Sequence, residues 1–217
     1  MRLYYLTGLH HGLGNIALRR VKISRFADLN DPFELLAVDL KDRRHRKAFR
    51  ETKEALNETK GLICLSNSWG NPLLWGHYGE KHTGLALGFE VDDHLVAKVI
   101  YAKSPEAIPI DKQTDLPRLT EALVNRLLRT KFHDWKYEDE MRLFVKLDHE
   151  TKESGMYFYD FSPHFQLREV ILGPRCEVPI ASVRSIVKGY SPSVSVIKSR
   201  IAFSTFRVVE NKFATAL

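Results

Sequence analysis

Residues 71–91, NPLLWGHYGEKHTGLALGFEV, run from a turn through a cluster of aromatic and imidazole side chains into an alternating strand, and that strand decides the fold class. From Gly84 onward, Leu85, Leu87, Phe89 and Val91 share one face while Gly84, Ala86 and Gly88 share the other, because successive strand side chains point to opposite sides. The large apolar face requires a core. The face of small residues admits something close, either another backbone or a ligand. Upstream, Asn67 to Pro72 carry turn chemistry, and the residues around Trp75 and Tyr78 can form one or two helical turns.

Working outward, LYYLT at 3–7 reads as a strand, Leu9 to Arg19 as a short helix with Leu13, Ile16 and Ala17 inward, and VKIS at 21–24 as a second strand. Asn30, Asp31 and Pro32 turn the chain away from helix. Residues 45–60 are polar with Phe49, Thr52 and Leu56 at helical spacing, and GLICLS at 61–66 reads as a buried strand. Asp115, Leu116 and Pro117 open a helix whose stripe of Leu116, Leu119, Leu123 and Leu127 extends it to about Phe132. Strands are expected at 156–162, 168–173, 193–197 and 203–209, with a short helix over 180–188. Strands outnumber helices and are irregularly mixed with them, without repeats or a low-complexity linker. The pattern predicts a single α+β domain over residues 1–217, built on a mixed, mostly antiparallel sheet with a few flanking helices.

Composition narrows the function classes without choosing one. Of 217 residues, 33 Lys and Arg face 27 Asp and Glu, a net charge of +6 that permits nucleotides, nucleic acid or a protein acceptor as partners but does not demand them. Lys41, Arg43, Arg44, Arg46 and Lys47 cluster in a polar helix, where a solvated face is the expectation. Cys64 and Cys176 stand far apart with no CxxC, so a reducing, cytoplasmic setting is expected, with neither disulfide nor thiol-rich metal site. No apolar run approaches the roughly 20 residues of a membrane span, and the N-terminus lacks a signal-peptide core, so no membrane partner is expected.

Two segments carry chemistry. WKYEDEMRLFVKL at 135–147, read as a strand, puts Trp135, Tyr137, Met141, Leu143, Val145 and Leu147 on one face, with Asp139 and Phe144 out of pattern, which leaves a bulge or a late strand start open. Glu138, Glu140 and Arg142 then project together. Such a face can be a solvated ladder of ion pairs, or a carboxylate pair offset by an arginine or a ligand hydroxyl. In the opening stretch, His77 and His82 are five apart, which is not the geometry of HExxH, and no metal is expected. His77 beside Tyr78 offers a hydrogen-bonding pair and an aromatic face suited to a planar heterocycle or a sugar. Trp75 reads as packing, and His82 as shaping the turn into the strand. GxGxxG, GxxxxGK[ST] and GxSxG are absent, and Cys64 and Ser66 have no local base.

Taken together, LYYLT, LNDPFE at 29–34, WGHYGEKHTG at 75–84, WKYEDEMR at 135–142 and EVILG at 169–173 resemble, in order, the bacterial domain of unknown function 2971. Leu29 and Met141 stand where that family usually has an aromatic residue and a tryptophan. More distantly, the arrangement resembles the ADP-ribosyltransferase fold, whose members cleave the nicotinamide–ribose bond of NAD and include toxins that modify DNA and RNA. That resemblance implies NAD as the cofactor and a role in phage defence or a toxin system. It implies Glu138, Glu140, Tyr78 and His77 as the catalytic set, with Tyr78 stacking on nicotinamide and Glu138 or Glu140 accepting a ribose hydroxyl. Tyr5, Thr7, Asn30, Asp31, Glu34, Trp75 and Arg142 form the corresponding cofactor-binding set. NDPFE then either covers the cleft or caps the local backbone. The first-strand Arg or His of the transferases is missing from LYYLT, unless His10 or His11 replaces it. The competing expectation is a non-enzymatic module that binds nucleic acid or a protein partner in a defence or toxin–antitoxin system. Hydrolysis of a nucleotide or glycoside is weaker, because two glutamates on one strand face lie closer than an ordinary glycosidase pair.

Overall fold

The structure is a computed structural model and describes residues 1–107, 120–190 and 193–213. The alternating stretch forms β4 (Leu85–Val91), held between two antiparallel neighbours, β1 (Arg2–Thr7) and β10 (Phe165–Leu172). Beyond β1 lie β3 (Lys60–Ser66), β8 (Glu140–Lys146) and the short edge strand β5 (Val96–Lys98). Beyond β10 lie β11 (Ser195–Ile201) and β12 (Val208–Glu210), giving the order β12-β11-β10-β4-β1-β3-β8-β5. Within this sheet only β10 and β11 run parallel. The chain is therefore a single α+β domain on a mostly antiparallel sheet.

Each face of the sheet has its own cover, as the period of two demands. Leu85, Leu87, Phe89 and Val91 pack with Leu3, Ile63, Leu65, Met141 and Leu143 in the main core. Helices α1 (Leu9–Leu18) and α5 (Ile180–Val187) close that face through Ile16, Val183 and Val187. Within α1 it is Gly12, Asn15 and Ile16 that are buried; Ala17 is exposed, contrary to expectation. The hairpin-like ribbon of β2 (Arg20–Ile23) and β9 (Tyr157–Asp160) adds to the same side through Val21.

On the opposite face, α2 (Arg43–Thr59) and α4 (Glu121–Leu127) bury Phe49, Leu123 and Leu127 around Leu62 of β3. The short helix α3 (Pro72–His77), capped by the Asn71 side chain on the Leu73 amide, lays Trp75 over Ala86 and Ile171. The small face of β4 is thus filled by backbone and aromatic rings. A Cβ at Gly84 would lie 2.2 Å from the Thr7 carbonyl oxygen, and one at Gly88 would lie 3.1 Å from the Tyr4 ring.

Three expected elements differ, the first being the strand expected at 203–209, which starts only at Val208 after bends over residues 203–206. Asp115 to Leu119 lie outside the described residues, and the helix that follows stops at Leu127, after which Thr130–Phe132 form strand β7 beside β6 (Ile100–Ala102). The stretch expected as a strand from Trp135 begins instead with a 3-10 turn over His133–Glu138. Asp139 then takes a left-handed conformation at φ 42°, and the strand starts at Glu140.

Candidate functional site

The second face of β8 carries Glu140 and Arg142, and it meets loop 24–34, α3 and β7 around one cavity of about 260 Å³. A buried ionic network lines it. Arg142 holds the Glu34 carboxylate with both terminal nitrogens, Nη2 at 3.0 Å, and donates from Nε to Glu140 at 2.9 Å. Its Nη1 also reaches the Leu128 carbonyl at 2.7 Å. Lys131, from β7, bridges the two glutamates that flank Asp139: Nζ lies 2.5 Å from Glu138 Oε2 and 3.3 Å from Glu140 Oε2. The same ammonium sits 4.7 Å from the centre of the Trp135 ring. Tyr78 donates its hydroxyl to Glu138 Oε1 at 2.5 Å and accepts from Asn30 Nδ2 at 2.7 Å. Glu34, Glu138, Glu140, Lys131 and Arg142 are each no more than 5% exposed.

Three carboxylates therefore face two cations in a space where charge is poorly solvated, and each group titrates accordingly. Burial pushes the Glu138 carboxyl up, and the opposing pull of Lys131 and Tyr78 does not restore it. Burial likewise raises Glu34 despite Arg142. Glu140 goes the other way: burial opposes its charge, but Arg142 and Lys131 outweigh that and hold its carboxyl below the usual range. Burial opposes the charge on Lys131 too, but Glu140 and Glu138 overcome it and raise its pKa. Burial and the Glu138 charge raise the Tyr78 phenol, and burial pushes Tyr101 up to about 12. The Tyr101 hydroxyl accepts from the Glu140 amide at 2.9 Å and fixes the start of β8. The Cys64 thiol on β3 also lines the cavity; burial, with Glu140 next, holds it well above its ordinary value, so it is no ready nucleophile.

Of the residues singled out in the sequence, Tyr5, Asn30, Glu34, Tyr78, Glu138, Glu140 and Arg142 come together at this cavity. Five others are placed elsewhere. Thr7 is buried beside Gly12 and does not line the cavity. Asp31 caps backbone, accepting from the amide of Phe33 in its own loop at 2.9 Å and from that of Phe132 on β7 at 3.4 Å. Trp75 is fully buried in the core with its Nε1 donating to the Trp69 carbonyl at 2.6 Å. His77 is exposed on the outer surface, stacked 6.0 Å from Tyr137 and edge-on to Trp135. His82, at φ 77°, ties the turn together: its amide donates to the Trp75 carbonyl and its own carbonyl accepts from Arg175.

Glu138 reaches the network through the late strand start that the break at Asp139 left open. It ends the 3-10 turn, and the left-handed Asp139 folds the chain so that Glu138 and Glu140 address one ammonium. Lys131 and Tyr101 were not singled out from the sequence. A lone lysine in LLRTKFHDW carries no spacing signal, because its partners arrive only through tertiary packing. No group of His, Cys, Asp and Glu among the described residues has the arrangement of a metal site. No family model matches the chain, and neither a curated protein nor a solved structure does.

Proposed function

We propose that the cavity binds the nicotinamide-ribose end of NAD and cleaves the bond between them, as an ADP-ribosyltransferase or NAD glycohydrolase, in line with the more distant resemblance of the arrangement to the ADP-ribosyltransferase fold. One observation carries the reading: three buried glutamates against two cations leave the cavity wall net negative, and both cations are already paired with carboxylates. Such a wall favours a cationic, donor-rich ligand over a phosphate. Oxidised nicotinamide-ribose is a cation with free hydroxyls, and about 260 Å³ suits that half of the dinucleotide, with the diphosphate outside.

In the proposed reaction the bond from the ribose anomeric carbon to the ring nitrogen breaks, and its electron pair neutralises the departing nicotinamide. The positive charge passes to the ribosyl centre, where the Glu138 and Glu140 carboxylates stabilise it without reorganisation. Water or an acceptor hydroxyl then attacks that carbon and gives its proton to Glu138, whose raised pKa makes it the better base of the two. Tyr78 remains a neutral phenol and orients Glu138 through its hydrogen bond.

The test is nicotinamide release from NAD by the wild type and by Glu138→Gln, with DNA, RNA or cell lysate supplied as acceptors. Release by the wild type alone is the expected result. Neither binding nor release would overturn the reading and favour a partner-binding module. That alternative has its own support: the charges of the cavity are mutually paired, and Phe203 and Phe206 stand 91% and 98% exposed on the β11–β12 connection.

A further inference from the structure

The net charge of the chain is concentrated in one place. Residues 41–50, KDRRHRKAFR, hold six Lys and Arg and one Asp, a net +5; the remaining 27 basic and 26 acidic residues give +1. Outside the first two turns of α2 and its cap, the protein is close to neutral.

Helix stability does not account for the arrangement. Cations disfavour the positive end of a helix and carboxylates the negative end. Helix α2 has no acidic residue in its first turn and no basic residue in its last, while Glu51, Glu54 and Glu58 fill its second half. Its charges run against its own dipole. Apolar burial does not account for it either: Arg43, Arg44, Arg46, Lys47 and Arg50 are all exposed, and Phe49 alone anchors this half of the helix in the core. Local pairing is partial. Arg44 is held by Asp42 at 2.7 Å and Arg46 by the carbonyls of Leu40 and Lys41, but Lys47 reaches Glu51 only at 3.9 Å.

We propose that this face of α2 docks the phosphate backbone of duplex DNA, without reading its sequence. Arg43, Lys47 and Arg50 follow the i, i+4, i+7 stripe, and seven residues of helix span about 10 Å. That length matches phosphates across a B-form major groove about 12 Å wide. The exposed stripe has no aromatic residue on which unpaired bases could stack, which separates duplex from single-stranded nucleic acid. The docking surface is independent of the NAD reading.

The experiment measures binding of a labelled DNA duplex of about 20 base pairs by fluorescence anisotropy across a salt series, with three neutralised phosphates giving a log–log slope of about −2.7. From 50 to 200 mM salt the wild type should weaken by roughly 40-fold on that slope. The triple variant Arg43→Gln, Lys47→Gln, Arg50→Gln should lose this binding and its salt dependence while melting at the same or a higher temperature, because the substitutions relieve the dipole conflict. Lys22→Gln, Lys98→Gln, Lys146→Gln removes the same charge from exposed positions elsewhere and should bind as the wild type does. Equal loss in both triple variants would reduce the effect to bulk charge and overturn the proposal. So would absence of duplex binding at 50 mM salt, tighter binding of a single strand, or binding of anionic phosphatidylglycerol vesicles in place of DNA.

Discussion

Strand β8 buries both of its faces, but in opposite ways. Met141 and Leu143 enter an apolar core, while Glu140 and Arg142, no less buried, enter a network built on charge pairs. Apolar packing is non-directional, so neighbouring side chains can share the cost of a change. A buried ion pair cannot share it: removing one member leaves the other without water and without a partner. Equal burial therefore conceals unequal tolerance. The ionic face is the less forgiving one.

The largest expected effect is Arg142→Ala, which strands Glu34 and Glu140 together and should destabilise by about 3–5 kcal/mol in urea unfolding. A loss below about 1 kcal/mol would break the comparison. On the other face, Leu143→Ala should cost about 2–5 kcal/mol, at the low end if the core relaxes into the space. Tyr78→Phe deletes the hydroxyl between Asn30 and Glu138 and should cost about 1 kcal/mol, with a larger loss in nicotinamide release. Glu138→Gln sharpens the contrast most. The amide keeps the shape of the side chain, and Lys131 retains Glu140 as its partner, so the variant should melt near the wild type while losing turnover.

The pH dependence has a definite sign. The raised pKa of Glu138 means that its contribution to stability is fully present below its unfolded pKa and is lost as pH rises through the folded value. Glu140, lowered in the fold, contributes above its unfolded pKa and loses that contribution as pH falls through its folded value. Urea unfolding over a pH series should show Glu138→Gln gaining on the wild type as pH rises through the folded pKa of Glu138. Parallel curves would remove the physical basis for calling Glu138 the base.

Much of this contrast was readable before any coordinates, because the period of two is a local property. Leu85 to Val91 and Met141 to Val145 sort their side chains correctly from alternation alone. The same rule misled at Trp135 and Tyr137, which continue the alternation across Asp139 although the chain there is a 3-10 turn. Composition could not report the reversal of one φ angle. Nor could it separate Asn30, which reaches Tyr78, from its neighbour Asp31, which caps the backbone. Lys131 was illegible for a different reason: both of its carboxylate partners lie beyond the turn, so its role exists only once the turn has formed.

The Asp139 side chain is exposed to solvent, yet its backbone decides where two carboxylates go. In evolutionary terms that separates identity from length. Asparagine or glycine at 139 should be accepted, since both adopt the left-handed region readily. A β-branched residue should be selected against, and an insertion or deletion anywhere in 133–139 should be purged even though much of that segment faces water. Among related chains, the number of residues between Lys131 and Glu140 should vary less than the residues themselves.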